Sequence, residues 1–527
     1  MLFDANAISP DTQLEADICI IGGGAAGISA ALALEGSGLK VLLVEGGSQW
    51  ADDQSQSVYD AENLGLDLTP VAESRLRMLG GSTNHWAGNC MRFEAIDFEA
   101  REGIPYSGWP INLSDIEPYY MAAQALVETP TDAAYDVAER YERLGLPVLD
   151  FQPDLLKTHL YAESPPTAFG ITYEEDLTAA QDVACYVNAT ALELMTDSDA
   201  ARVTSVRMSS LSGTKFSIVA RRVVVATGGM EVPRLLLLSN STAVAGLGNQ
   251  NDVVGRFFMD HIAVRPSLRA MISRRVSDFD LYTEPQFDAD GYFRAAISAS
   301  EELLRRENLP NFLIFLMKQS NSSPGQQSGQ ALRRGPAPGT LGTHILNVVT
   351  DLDGLTNEVF RTISGSRDDL IERTWLDPWL TVESRPNPDS RVLLADELDP
   401  VFGQRKLALD WQLHEDDLDS NRRITEILAQ ELGRMGYGRV WSDLLRHPDR
   451  WPTLGHGKHH SGTARMAADP KQGVVDGNCK VHGVANLYVA GSAVFPTHGY
   501  ATPTLTIVAM ALRLADHLKE TMQTGAE

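Results

Sequence analysis

Residues 15–47 read EADICIIGGGAAGISAALALEGSGLKVLLVEGG, and the hydrophobic positions fall into three blocks. An apolar run at 17–21 stops at glycine, an Ala/Leu-rich stretch covers 28–34, and a second apolar run at 41–44 ends on Glu45. Short apolar runs bounded by glycine predict buried strands, and the stretch between them predicts a helix, so the block is a β-α-β unit. Farther on, strands are predicted at 185–195, 201–208 and 215–226, the last ending RRVVVATGG. Pro233 is expected to open the helix PRLLLLS, since a proline in the first turn costs little. That strand, glycine turn and helix predict a second crossover onto the same sheet.

Residues 48–73 and 78–93 carry too few periodic apolar positions for regular elements, and the second stretch, MLGGSTNHWAGNCMRF, has the composition of a ligand-binding loop. A helix is predicted at 115–129, with Asn112 or Asp115 as its cap. From 265 to about 450 the texture changes to alternating strand candidates, among them 312–317, 376–382 and 392–395. Residues 416–435 form an amphipathic pattern whose Ile424, Ile427, Leu428 and Leu432 predict a core-facing helix. Residues 319–344 are low in apolar types and rich in Gly, Ser, Gln and Pro, which predicts a surface loop, with an active-site lid as the alternative. The chain ends in a strand and glycine turn at 486–497 and a helix at 503–519.

The glycines of the first unit serve separate physical purposes. In GGGAAG, Gly22 allows the tight turn, Gly24 lets the backbone approach a pyrophosphate, and Gly27 lets the helix pack closely on the strand. The N–H groups of the first helical turn, including that of Ala26, favour phosphate oxygens. Glu45 lies where an acid accepts hydrogen bonds from an adenosine ribose. The unit therefore predicts a bound dinucleotide, FAD or NAD.

Composition narrows the rest. The 527 residues suggest two or more domains, and 43% hydrophobic with 22% charged residues is the balance of a globular protein. A net charge of −26 disfavours nucleic acid and anionic membranes as partners. Cys19, Cys90, Cys185 and Cys479 are scattered singly, so no zinc or iron–sulfur site is expected. No apolar run is long enough to span a bilayer and neither terminus carries a targeting signal, so a cytoplasmic protein is expected.

In order, GGGAAG with Glu45, LGGSTNHW, ATGGMEVPRLLLLS, GRFFMDH, HHSGTARM and NLYVAGSAVFPT followed by PTLTIVAMALRLADHL resemble the glucose-methanol-choline (GMC) family of flavoprotein oxidoreductases. GGSTNHW, SGWPI and FPTxGYAxPTLT look most like its pyranose oxidase and bacterial glucoside 3-dehydrogenase branch. The resemblance implies an α/β fold: a Rossmann-type FAD-binding domain built from discontinuous segments, 1–100, 188–265 and 455–527. An α+β substrate-binding domain on an antiparallel sheet, 101–187 and 266–454, would complete it.

The resemblance further implies FAD as cofactor and oxidation of a CH–OH group by hydride transfer to flavin N5. The substrate would be a small alcohol or sugar, and the electrons would pass to oxygen, a quinone or a redox protein. A neutral histidine is the natural base for the hydroxyl proton near pH 7, but twelve histidines are present. The family's H-x-x-x-[TC] pattern falls on His459, with Thr463, and His460 is its neighbour. The family's second catalytic position, His or Asn, is Thr502 here, with His498 four residues earlier as a candidate to compensate. That departure leaves open a second class of reaction, a lyase-like use of FAD without net alcohol oxidation. His85 matches a position at which relatives carry a histidine bonded covalently to flavin; a covalent bond and a simple contact are both open. Gly80, Gly81, Ser82 and Asn84 are expected along the pyrophosphate or ring, and Ala226 and Gly228 by the adenosine. Gly491, Ser492 and Thr504 are expected near the pyrophosphate or pyrimidine end.

Overall fold

A computed structural model of the chain describes residues 1–66, 70–130, 140, 143–264, 268–272, 276–288, 291–318, 341, 345, 363, 374–452 and 454–525. The residues 319–344 expected to form a loop or lid lie outside these, apart from Leu341.

The strand Gln13–Ile21 is fully buried over its last four residues, because both faces of a parallel sheet are covered. It pairs in parallel with Val41–Val44 on one side and Lys215–Val225 on the other. Lys215–Val225 divides its free edge: its first half pairs antiparallel with Val203–Ser210, its last three residues parallel with Leu487–Val489. Val44 and Ile21 are register partners, as are Ile21 and Val225, and Val225 and Val489. Four parallel strands thus end at one level, and each runs into a turn that contains glycine. In an open α/β sheet this carboxyl edge is where ligands bind.

The second sheet is antiparallel. Its main path runs Gly438–Ser442, Leu268–Ile272, Thr374–Val382, Phe312–Lys318, Gly291–Ala299, Leu156–Glu163 and Asn89–Cys90. Strand alternation gives it two chemically distinct faces. Leu160, Phe293, Ile297, Ile314, Leu380 and Val382 point into a core that includes Ile424, Ile427, Leu428 and Leu432 of the helix Asp416–Arg434. The residues between them point the other way, over the carboxyl edge of the first sheet. The molecule is therefore an α/β fold in which a cofactor-type parallel sheet faces one side of an antiparallel substrate-type sheet.

Several expectations need correction. Residues 185–195 are not one strand: Val183–Val187 and Ala189–Thr196 are separated by Asn188, which takes a left-handed φ of 56° and turns the chain between two parts of the sheet. Pro233 does not open its helix but lies inside Gly228–Leu238. The carbonyl that a residue-233 N–H would have bonded, that of Gly229, instead accepts from the Thr463 hydroxyl, so the proline leaves no orphan acceptor. Val183–Val187, expected with the substrate-binding segments, pairs in the parallel sheet, and Ile262–Val264, expected with the cofactor segments, pairs in the antiparallel one. Pairing partners far away in sequence decide such boundaries, and composition does not register them. Among the described residues no helix is long and apolar enough to cross a membrane.

Candidate active site

One cavity of about 730 Å³ runs along the carboxyl edge of the parallel sheet and under the polar face of the antiparallel one. Its first part is a cradle built by turns. Gly22 holds φ at 113°, and a Cβ there would sit 2.5 Å from the Ala226 carbonyl oxygen. A Cβ on Gly27 would lie 1.8 Å from the Gly22 carbonyl oxygen, so helix Ala25–Leu34 meets the strand only because that atom is missing. Gly24 is the opposite case: no heavy atom lies within 4 Å of where its Cβ would be, and the helix it precedes has no side-chain N-cap. Open space in front of uncapped first-turn N–H groups is an anion cradle.

Of the expected cofactor contacts, Gly22, Gly24, Ala26, Glu45, Gly81, Ser82, His85, Ala226, Gly228, Gly491, Ser492 and Thr504 all line this cavity. Gly27, Gly80 and Asn84 do not. Gly80 sits against Gly170, and its N–H donates to the Gly23 carbonyl. Asn84 donates to the carbonyls of Leu79 and Gly81, closing the turn that presents Ser82 and His85. Glu45 accepts from the N–H groups of Gly23 and Gly47, at 2.8 Å each. Burial pushes its carboxyl pKa up against these bonds and the nearby Arg77. The His85 ring is held below the ordinary imidazole range, first by burial and then by Lys458.

Beyond Glu45 the lining is basic. Arg75 pairs with Glu231 at 2.5 Å, and Arg234 bridges Glu231 and Asp399 at 3.2 Å each. Arg77 bonds the Gly46 carbonyl and the Thr190 hydroxyl. An elongated cavity with open glycines at a helix start, a carboxylate at the next strand end and guanidiniums beyond it fits a dinucleotide such as FAD.

The other part of the cavity faces the antiparallel sheet. Tyr161, Glu163, Arg294, Phe315, Met317, Trp379 and Thr381 line it, all from the face opposite the core. Phe315 and Trp379 are register partners on neighbouring strands, as are Tyr161 and Arg294. Glu163 Oε1 stands 2.7 Å from Arg294 Nε. Burial pushes the Glu163 carboxyl up, and Arg294 acts in the other direction.

Between the two parts stand the histidines. His459, His460 and Thr502 line the cavity, with His456, Lys458 and Tyr500. The Thr502 hydroxyl donates to the Asn89 carbonyl at 2.6 Å, so toward the cavity its oxygen offers only lone pairs. His460 is buried, tilted over Phe258, and pushed well below the ordinary imidazole range, first by burial. His498 does not reach the cavity: it lies behind His261, stacked at 4.2 Å, with its Nε2 accepting from the Ser384 N–H. The turn at 498–502 points Tyr500 and Thr502 inward instead.

The loop carrying His459 is clamped by Asp260. This fully buried carboxylate accepts from the N–H groups of His261, Gly457, Lys458 and His459 at 2.7–3.1 Å. Burial pushes its pKa up to about 7, and the four N–H donors act to lower it. A Cβ on Gly457 would lie 2.6 Å from His459 Nδ1, so the loop can close this tightly only around glycine. Among the described residues, Asp260, His261 and His459 bring ligand-type atoms within 4.8 Å of one another. Asp260 already accepts from four N–H groups, and the two rings face each other, Nδ1 to Nδ1 at 2.7 Å. The group is a hydrogen-bonded cluster.

Comparison with known proteins is consistent with this geometry from end to end. Residues 17–250 match the family described as FAD dependent oxidoreductase, and residues 386–511 match GMC oxidoreductase. These matches support the GMC oxidoreductase family for this chain. It is 23% identical to the fructose dehydrogenase large subunit of Gluconobacter japonicus over 97% of this chain and 99% of that one. It is 25% identical to a C-glycoside 3-oxidase of Microbacterium trichothecenolyticum, over 88% and 79% of the two chains. In fold it resembles pyridoxine 4-oxidase from Mesorbium loti, with a TM-score of 0.57 at 18% identity over 95% of this chain and 98% of that one. This GMC protein is an FAD-dependent oxidoreductase, a dehydrogenase or oxidase.

Proposed function

We propose that this GMC oxidoreductase oxidises a ring CH–OH of a sugar or glycoside to a carbonyl, as at position 2 or 3 of a pyranose, with His459 as the base that takes the hydroxyl proton. The observation that carries the proposal is that His459 and the glycine cradle line one cavity, beneath a sheet face that joins aromatic rings to an acid–guanidinium pair. A sugar ring has an apolar C–H face and a rim of hydroxyls. Tyr161, Phe315 and Trp379 suit the first, and Glu163, with acceptors only, and Arg294, with donors only, suit the second. The relatives named for fructose and for C-glycosides agree with this choice, and the second of them supports placement near the glycoside-oxidising branch.

Bound FAD supplies the acceptor for the hydride. The chain's own part is to bind the ring, exclude water and hold the base. The Gly22, Gly24, Gly228 and Gly491 turns hold the cofactor by backbone, Ser82 and His85 contact it, and Glu163 and Arg294 fix the substrate rim. His459 accepts the hydroxyl proton, and its protonated ring is steadied by His261. Thr502, whose proton goes to Asn89, accepts from a substrate hydroxyl where relatives carry His or Asn. An external acceptor, oxygen, a quinone or a redox protein, closes the cycle. In-gel flavin fluorescence after denaturation reads whether His85 also bonds to FAD.

Thr502 supports a second reading, in which FAD is held without net alcohol oxidation. Anaerobic addition of sugars and glycosides separates the two: bleaching of the oxidised flavin band supports oxidation, and an unchanged band under turnover of the same compound supports the second reading.

A further inference from the structure

Asp260 and His261 are consecutive and hold the same loop in two ways, Asp260 by the backbone of 457–459 and His261 by the side chain of His459. We propose that His261 is the positioning residue that fixes the tautomer of His459, placing its proton on Nδ1 and its accepting lone pair on Nε2. This rests on the reading of His459 as the base.

The donor and acceptor geometry, with His261 held neutral by burial, fixes the assignment. His261 Nε2 lies 2.9 Å from the carbonyl oxygen of Gly499. A carbonyl only accepts, so this nitrogen carries the proton. Burial holds the His261 pKa down to about 4, so near neutral pH its Nδ1 is a lone pair. That lone pair faces His459 Nδ1 at 2.7 Å, and His459 must therefore donate through Nδ1. The proton-accepting site of neutral His459 is left on Nε2, the ring nitrogen turned away from His261.

His261 has no freedom to present the other tautomer. His498 stacks on its face at 4.2 Å and 27°, and His459 meets it edge-on at 4.9 Å and 87°. The Gly499 residue that receives its proton is itself fixed, its N–H donating to Glu383 at 2.9 Å, while Glu383 is paired with Arg101 at 3.0 Å. The titratable and charged groups around the pair are Asp260, Glu383, Arg101, His456, Lys458, His460 and His498. When His459 takes a substrate proton, the Nδ1–H bond to a neutral acceptor persists, so the cation forms without rearrangement. An acid orients a catalytic histidine in the same way, and here an imidazole takes the acid's place.

The test is ¹⁵N NMR of the FAD-loaded protein labelled only at histidine, with the His459 signals identified by their loss in His459→Ala. The wild type is expected to show a protonated Nδ1 and a bare Nε2. His261→Leu is expected to lose that preference and to reduce its flavin with substrate about 10² times more slowly or worse, at unchanged FAD content and KM. Raising the pH is not expected to restore the rate, because the defect is in tautomer and not in charge. His261→Asn, whose amide oxygen can still accept from Nδ1, is expected to recover at least tenfold over Leu. A bare Nδ1 in the wild type overturns the proposal even if His261→Leu does not fold, and so does a Leu variant as fast as wild type. If His459→Ala leaves flavin reduction intact, the base assignment fails, and the NMR result still decides the tautomer.

Discussion

The two halves of the cavity are built by different means. On the cofactor side, the lining comes from turns at the ends of parallel strands, and the decisive features are missing atoms: the absent Cβ of Gly22, Gly24 and Gly27. On the substrate side it comes from side chains on one face of an antiparallel sheet, Glu163 and Arg294 from neighbouring strands and Phe315 opposite Trp379. A backbone cradle depends on a few consecutive residues and tolerates almost no substitution. A side-chain wall depends on strands far apart in sequence, and each of its positions can change while the sheet persists. The first region therefore sets how a cofactor is held, and the second is free to set the substrate.

Filling the cradle should do the most damage. Because Gly24 has ordinary backbone angles and nothing near its missing Cβ, Gly24→Leu is expected to leave the fold intact while its side chain occupies the phosphate position. Purified Gly24→Leu should contain less than a tenth of the wild-type FAD by absorbance, with an unchanged far-ultraviolet circular dichroism spectrum. Equal FAD content would mean that the cofactor lies elsewhere. Next in size, His459→Ala should retain FAD but reduce it with substrate about 10² times more slowly or worse, the usual scale of general-base catalysis, in anaerobic stopped flow. Glu163→Gln should act only on the wall: KM rises about 10-fold, the scale of one hydrogen bond to a charged group, with FAD content untouched. An unchanged KM across sugars would remove Glu163 from the binding rim.

A milder effect concerns pH. His261 is held neutral in the fold down to about 4, whereas the unfolded chain protonates it near the ordinary imidazole value of 6.5. Between these values the unfolded state binds the extra proton, so this group's contribution to stability falls as pH falls, by ~1.4 kcal/mol per pH unit. Asp260 works in the opposite sense, since its folded pKa is raised to about 7 and the fold binds its proton first. Wild-type stability alone mixes the two. The difference between wild type and His261→Asn isolates the histidine: in urea unfolding, the wild-type advantage should shrink as pH is lowered from 6.5 toward 4. A constant difference would mean that His261 titrates normally.

What was legible in the sequence follows the same division. GGGAAG, Glu45, ATGG and the final glycine turn were readable because a left-handed φ or a close approach leaves its mark on the residue itself. The helix Asp416–Arg434 was readable from its period. The wall was not: 312–317 reads as an apolar strand, and nothing local says that Phe315 and Met317 face a cavity while Ile314 and Leu316 face the core. Only the pairing partner, about 60 residues away across a stretch with no strong pattern, settles the face. His261 shows an intermediate case. GRFFMDH marks a family motif, but the contact of His261 with His459 joins residues 198 positions apart. His498 failed in the other direction, being close in sequence to the site yet turned behind it. Pro233 failed because a helix interior admits proline when another donor serves the freed carbonyl, and Thr463 does so from a distant segment.

That this cavity holds FAD on one side and oxidises a sugar or glycoside hydroxyl on the other is decided by an anaerobic titration of the purified yellow protein. The oxidised-flavin band is followed while glucose, glucosides, simple alcohols and choline are added in turn. Sugars or glycosides are expected to bleach the band at concentrations where simple alcohols and choline leave it unchanged, with colour returning when a suitable acceptor is admitted. A band that no sugar or glycoside bleaches, in protein whose flavin dithionite still reduces, would contradict the proposed reaction.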